Sequence, residues 1–169
     1  MVTNATPRQK RQVKTVAQTK ESRELDLALK SWLSVVRAYN LCDALMAKRL
    51  APMGLRTSEH EILANLLREP GLTQQALAQR CFTAKSHISA LLSQMETNSW
   101  LTRENHPQDA RAKCLHLLPQ GKSLAQRSLK VQSDVVRLMA NALNAEQLEQ
   151  VRTAMLPVQV ALEQALNAS

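Results

Sequence analysis

Aromatic side chains are scarce in this chain: 169 residues include two Trp, one Tyr and one Phe, and Gly occurs only three times. Leu, Ala and Gln dominate instead, a balance that disfavours a sheet-rich sandwich and favours helices packed through aliphatic side chains. Cys42, Cys81 and Cys114 lie far apart with no CxxC pair, so they read as reduced thiols. No apolar run is long enough to span a bilayer, and no apolar segment of a secretory signal is seen near the N-terminus. A soluble, cytoplasmic protein without a membrane partner is expected. Gly-rich phosphate loops, nucleophile elbows and close carboxylate pairs are also missing, so no enzymatic activity, metal or cofactor is expected.

What is present is enough for one domain. Hydrophobic residues make up 44% of the chain, sufficient to fill a core. The net charge of +8 is uneven. Residues 1 to 20 hold Arg8, Lys10, Arg11, Lys14 and Lys20 and no acid. Residues 1–23 therefore read as a basic, disordered arm suited to a polyanion such as nucleic acid, or as a solvated tail.

From residue 24 the pattern is helical. "ELDLALKSWLSVVRAYNLCDALMAKRL" places Leu25, Leu29, Trp32, Leu33, Val36, Leu41, Leu45 and Met46 on one face, and "APMGL" stops it through Pro52 and Gly54. "TSEHEILANLLREPG" opens with Thr57 or Ser58 as cap and Glu61 as its partner. "LTQQALAQR" is a short helix capped by Thr73, and "TAKSHISALLSQMETN" is another that buries Ile88, Leu91, Leu92 and Met95. Three short helices in this order make a helix-turn-helix pattern. The first turns of the third helix would then present Lys85, Ser86, His87 and Ser89, small polar side chains fit for a major groove.

"WLTREN" and "AKCLHLL" alternate apolar and polar residues and read as paired strands joined by "HPQDAR". Pro119 and Gly121 start a long helix, and Asn144 caps a last one that is bent or interrupted at Pro157. The fold class is thus mainly α with one small β-hairpin.

The ordered pieces "LAPMGLRTSEHEIL", "PGLTQQALAQR", "KSHISALLSQME" with "WLTR", "HPQDARAK" and "LLPQG" resemble the MarR family of bacterial winged-helix transcription regulators. The resemblance runs from about residue 25 to the C-terminus. It implies a domain over 24–169: a winged helix-turn-helix lobe at 55–118, and dimerisation helices at 24–54 and 119–169 that interlock in an obligate homodimer. It also implies double-stranded DNA with a pseudo-palindromic operator as partner. The hairpin becomes a wing, in which Pro107 stiffens the turn, Asp109 holds the Arg111 guanidinium extended, and Arg111 enters the minor groove. Thr83, Lys85, Ser86, His87 and Ser89 would touch DNA from the helix, with Arg103 and Lys113 on phosphates.

Two departures stand out. His106 and Ala110 replace an Asp and an Arg of the family's wing, and Asn98-Ser99 stands where Arg-Gly is usual; the fold should survive the second because Asn tolerates a left-handed backbone. The resemblance further implies a small aromatic carboxylate or phenolic effector in a cleft lined by Trp32, Val36, Arg37, Tyr39, Asn40, Met53 and His60. Relatives that sense zinc use a Glu-His pair where Glu59 and His60 stand, but the long fifth helix supplies no further His in "SLAQRSLKVQSD", so no metal is expected. Redox sensing through Cys42 is an alternative to a ligand. The rival from another class is a non-specific architectural DNA binder driven by the basic arm.

Overall fold

The computed structural model describes the backbone of residues 7–81, 84–109 and 111–168, and their side chains from residue 20 onward except that of Lys85. The chain divides into two compact units, Met1–Ala44 and Leu45–Ser169.

Helix α1 spans Pro7–Leu50 and supplies the described part of the first unit. It begins inside the segment whose composition predicts a disordered arm. Arg8 to Leu50 contains neither Pro nor Gly and is rich in Gln, Lys, Arg, Leu and Ala, so helix propensity there outweighs the low hydrophobicity. Pro7 occupies the first helical position, where its missing N–H costs nothing. Exposed ion pairs Lys20–Glu24 and Lys30–Asp26 at i,i+4 spacing add a few tenths of a kcal/mol each. Leu25, Leu29, Trp32, Leu33, Tyr39 and Leu41 of α1 are exposed in the single chain.

In the second unit a 3₁₀ turn, Ala51–Met53, ends in left-handed Gly54. There follow α2 (Thr57–Arg68), α3 (Gln74–Arg80), α4 (Lys85–Thr97), β1 (Leu101–Asn105), β2 (Lys113–Leu117), α5 (Pro119–Ala140) and α6 (Ala145–Asn167). This is the mainly helical fold with one antiparallel hairpin expected from the pattern. β1 and β2 pair from Leu101–Leu117 to Asn105–Lys113. The loop before α3 adds to the sheet: Leu115 N–H donates to Leu72 O, and Gly71 N–H to Leu115 O. The core is formed by Leu50, Ile62, Leu63, Leu66, Leu77, Ile88, Leu92, Met95, Leu101 and Leu115, all essentially sealed from solvent.

Helix ends follow local chemistry. Thr73 caps α3 by accepting from Ala76 N–H at 3.2 Å, and Asn144 with Gln147 forms a reciprocal box at the start of α6. At α2 the expected Thr57 or Ser58 cap is replaced by Arg56, whose own N–H donates to Glu59 at 2.9 Å. Glu59 is preferred to Glu61 because its buried carboxylate also takes the Arg56 guanidinium at 2.8 Å. α4 closes with the paired bonds of a Schellman motif, Trp100 N–H to Met95 O and Ser99 N–H to Glu96 O, both 2.9 Å. The left-handed residue is Ser99 at φ 57°, whereas Asn98 keeps a negative φ, so the tolerance expected of Asn is not what is used. α6 continues through Pro157 without interruption.

Candidate nucleic-acid interface

Helix α4 buries Ile88, Leu91, Leu92 and Met95 against the core, which turns Ser86 and His87 to solvent and leaves Ser89 half-buried at one edge. Its flanks are bonded to two arginines. On one side Arg103 of β1 donates through Nη2 to Ser93 Oγ at 3.0 Å and, more weakly, to Ser89 O at 3.5 Å. Its Nε lies 3.4 Å from Glu96 Oε2 but lacks hydrogen-bond geometry. On the other side Arg56 donates to Gln94 Oε1 at 2.8 Å.

The hairpin tip is a polar turn. Asp109 Oδ1 accepts from the backbone N–H of Arg111 at 2.9 Å, an Asx-type turn. His106 Nδ1 accepts from Gln108 N–H at 3.2 Å, and Ala112 N–H donates to Asp109 O at 3.0 Å. Lys113 Nζ donates to Asn105 across the strand pair. The Arg111 guanidinium is exposed and has no hydrogen bond or ion pair among the described residues. Between this turn and the start of α3 lies an open cavity of about 330 Å³ lined by Thr73, Gln74, Gln75, Asp109, Arg111 and Lys113. A helix with a solvated polar face, beside a hairpin that holds out an unneutralised guanidinium, can meet a groove and its flanking phosphate chain together.

The comparisons agree with this geometry. A family model described as MarR family matches residues 53–112. An uncharacterised HTH-type transcriptional regulator of Bacillus cereus is 28% identical over 101 residues, 60% of this chain and 67% of that protein. Among solved structures, AbsC, a MarR family transcriptional regulator from Streptomyces coelicolor, superposes with a TM-score of 0.73 at 25% identity, covering 79% of this chain and 93% of AbsC.

The chain is similar to the MarR family over residues 53–112, and it shares the fold of a MarR-family regulator.

Another structure with this fold, the MarR-family regulator Sco3205 from Streptomyces coelicolor, was solved in complex with DNA; its TM-score is 0.72 at 25% identity, over 78% of this chain and 88% of Sco3205.

Ser86, His87, Ser89, Arg111 and Lys113 fall on the helix face and hairpin of one lobe, while Thr83 and the side chain of Lys85 lie outside the described residues. Pro107 is exposed at the turn. Asp109 differs from expectation: it bonds the Arg111 backbone rather than the guanidinium, because a side chain two residues back reaches the amide first. Arg103 is directed onto α4, with its side chain only 23% exposed.

The residues expected to line an effector cleft are divided between the units. Trp32, Arg37, Tyr39 and Asn40 are exposed and Val36 is half-buried on α1. Met53 and His60 belong to the second unit. Met53 lines a cavity of about 290 Å³ with Trp100, Gln120, Ser123, Leu124 and Arg127. His60 is buried, with Nδ1 2.9 Å from Ser128 Oγ, whose hydroxyl donates to Ala125 O at 3.0 Å. The Ser128 proton being committed, His60 Nδ1 carries the hydrogen and donates. Burial, and secondarily the positive charge of Arg68, hold the His60 pKa below its ordinary value. Cys42 is half-buried on α1. Burial, with a contribution from Glu61, pushes the Cys81 thiol up to about 11.

Sequence reasoning missed the roles of Arg56, Glu59 and Ser128. For Glu59 a signal existed, an acid three residues after the cap position; for Ser128 there was none, since its partner is 68 positions away.

Proposed function

We propose that this protein is a sequence-specific DNA-binding repressor that acts as a homodimer on a pseudo-palindromic operator and is released by a small anionic aromatic effector. The observation that carries the reading is the shared surface of α4 and hairpin, with an exposed, unneutralised Arg111 at its edge. A wing arginine of this kind suits a narrow minor groove beside the major groove that α4 reads. The DNA complex of Sco3205 lends support from a structure of the same fold.

Dimerisation is supported by apolar surface that a single chain leaves uncovered. On α6, Val151, Leu156, Val160, Leu162 and Leu166 are all at least 46% exposed, and α1 carries Leu25 and Trp32 in the same state. Burying such stripes against a second copy would remove an apolar area that monomers rarely tolerate. The effector reading is supported by the cavity that Met53, Trp100 and Arg127 help to line, which brings an aromatic and a basic residue to one opening. That pairing suits a planar carboxylate.

The test is fluorescence anisotropy at physiological salt, with DNA from upstream of the protein's own gene against a scrambled duplex of equal composition. Preference of about a thousandfold or more, lost in Arg111→Ala and relieved by an aromatic carboxylate, supports the reading. Equal binding to all duplexes, abolished by deleting residues 1–20, identifies the non-specific architectural binder instead.

A further inference from the structure

We propose that Arg103 is a positioning residue of the recognition helix and not a phosphate contact. Its guanidinium, on the strand that begins the wing, bonds the flank of α4, so that wing and reading helix move as one body.

The geometry is closed on itself. Ser93 hydroxyl donates to Ser89 O at 3.0 Å and accepts from Arg103 Nη2 at 3.0 Å, while the same Nη2 also approaches Ser89 O. Glu96, one turn on, holds its carboxylate 3.4 Å from Nε, adding charge attraction on a buried nitrogen that no hydrogen bond satisfies. Residues 89, 93 and 96 recur at the three- and four-residue spacing that shares one helix flank. Gln94, bonded by Arg56 from the start of α2, falls on the other flank. α4 is thus held at its base by the core and on each side by a guanidinium, with Ser86 left to solvent at its first turn.

To reach a phosphate, Arg103 would have to abandon these acceptors and expose a face of α4 it now covers. Arg suits the bolt better than Lys would, because one planar fork reaches a hydroxyl, a carbonyl and a carboxylate that a single ammonium cannot span. Since β1 runs directly into the hairpin tip, any tilt of the wing is transmitted to Ser89 and Ser93 through this side chain.

This inference rests on sequence-specific DNA binding, and the experiment separates the two. Arg103→Ala is measured in the wild-type protein and in a Ser93→Ala/Glu96→Gln background, on operator and scrambled duplexes across a salt series. A positioning residue gives about a tenfold loss on operator alone, an unchanged salt slope, and almost no further loss in the second background. A phosphate contact lowers affinity for both duplexes equally, reduces the slope by about one, and acts the same in both backgrounds; that result overturns the proposal. Amide hydrogen exchange of the DNA-free protein supplies a readout independent of DNA. Arg103→Ala, and separately the Ser93→Ala/Glu96→Gln protein, should speed exchange over residues 88–97, and unchanged exchange in both overturns the proposal even if the wild type shows no operator preference.

Discussion

Substituting Gly121 by Ala should destabilise the fold through a contact that can be measured directly. An ideal Cβ at this position would lie 1.9 Å from Trp100 O and 2.8 Å from Trp100 C, both backbone atoms that cannot rotate away. Relief requires the first turn of α5 to retreat from the residue preceding β1 by about 1.5 Å, to reach the ordinary C···O separation of about 3.3–3.6 Å. That movement breaks the 3.0 Å bond from Leu118 N–H to Trp100 O, which enters α5 from β2. Losing it costs about 1 kcal/mol. Overpacking adds about 1–3 kcal/mol, and the better helix propensity of Ala returns less than about 1 kcal/mol. The net expectation is a loss of about 1–4 kcal/mol, read as a lower urea midpoint at fixed protein concentration with the slope unchanged. Lys122→Ala, exposed in the same turn, should stay within about 0.5 kcal/mol of wild type. A Gly121→Ala protein as stable as Lys122→Ala would refute the close approach.

Three further outcomes follow from the same structure. Ser99→Gly should raise stability by about 0.5–1 kcal/mol, because removing the left-handed strain at φ 57° outweighs the entropy of Gly; a lower melting temperature would contradict it. His60, held neutral by burial, should make stability fall as pH drops below about 6.5, where the unfolded chain takes up a proton that the folded chain refuses until lower pH; His60→Asn should flatten that part of the profile, and an unchanged slope between wild type and variant counts against the buried imidazole. Cys81, with its thiol pushed up to about 11, should react with a disulfide reagent at neutral pH about a hundredfold more slowly than an ordinary thiol; rapid labelling of Cys81 in the native protein would show its environment to be wrong.

The parts legible in the sequence were those decided by local chemistry. Thr73 and Asn144 stand as caps where they were read, the hairpin strands pair over the expected residues, and Ile88, Leu91, Leu92 and Met95 turn inward. Residues 7–23 were harder, because a string of Lys, Arg and Gln has the charge of a disordered tail and the propensity of a helix. Tertiary partners were not readable at all. Asp109 chose a backbone amide over a guanidinium, Arg103 chose Ser93 over solvent, and Glu59 displaced Glu61 only because Arg56 stands above it. Each depends on which polar group is left unsatisfied once the lobe has closed, and no spacing rule records that.

The most direct test of a two-headed, sequence-reading dimer is selection from a random duplex library with the full-length protein, followed by sequencing of the bound DNA. Two related half-sites in inverted repeat, centred about 10 bp apart or a multiple of it, are the expected result. Recovery of DNA with no shared sequence, or of a single asymmetric half-site, would contradict it.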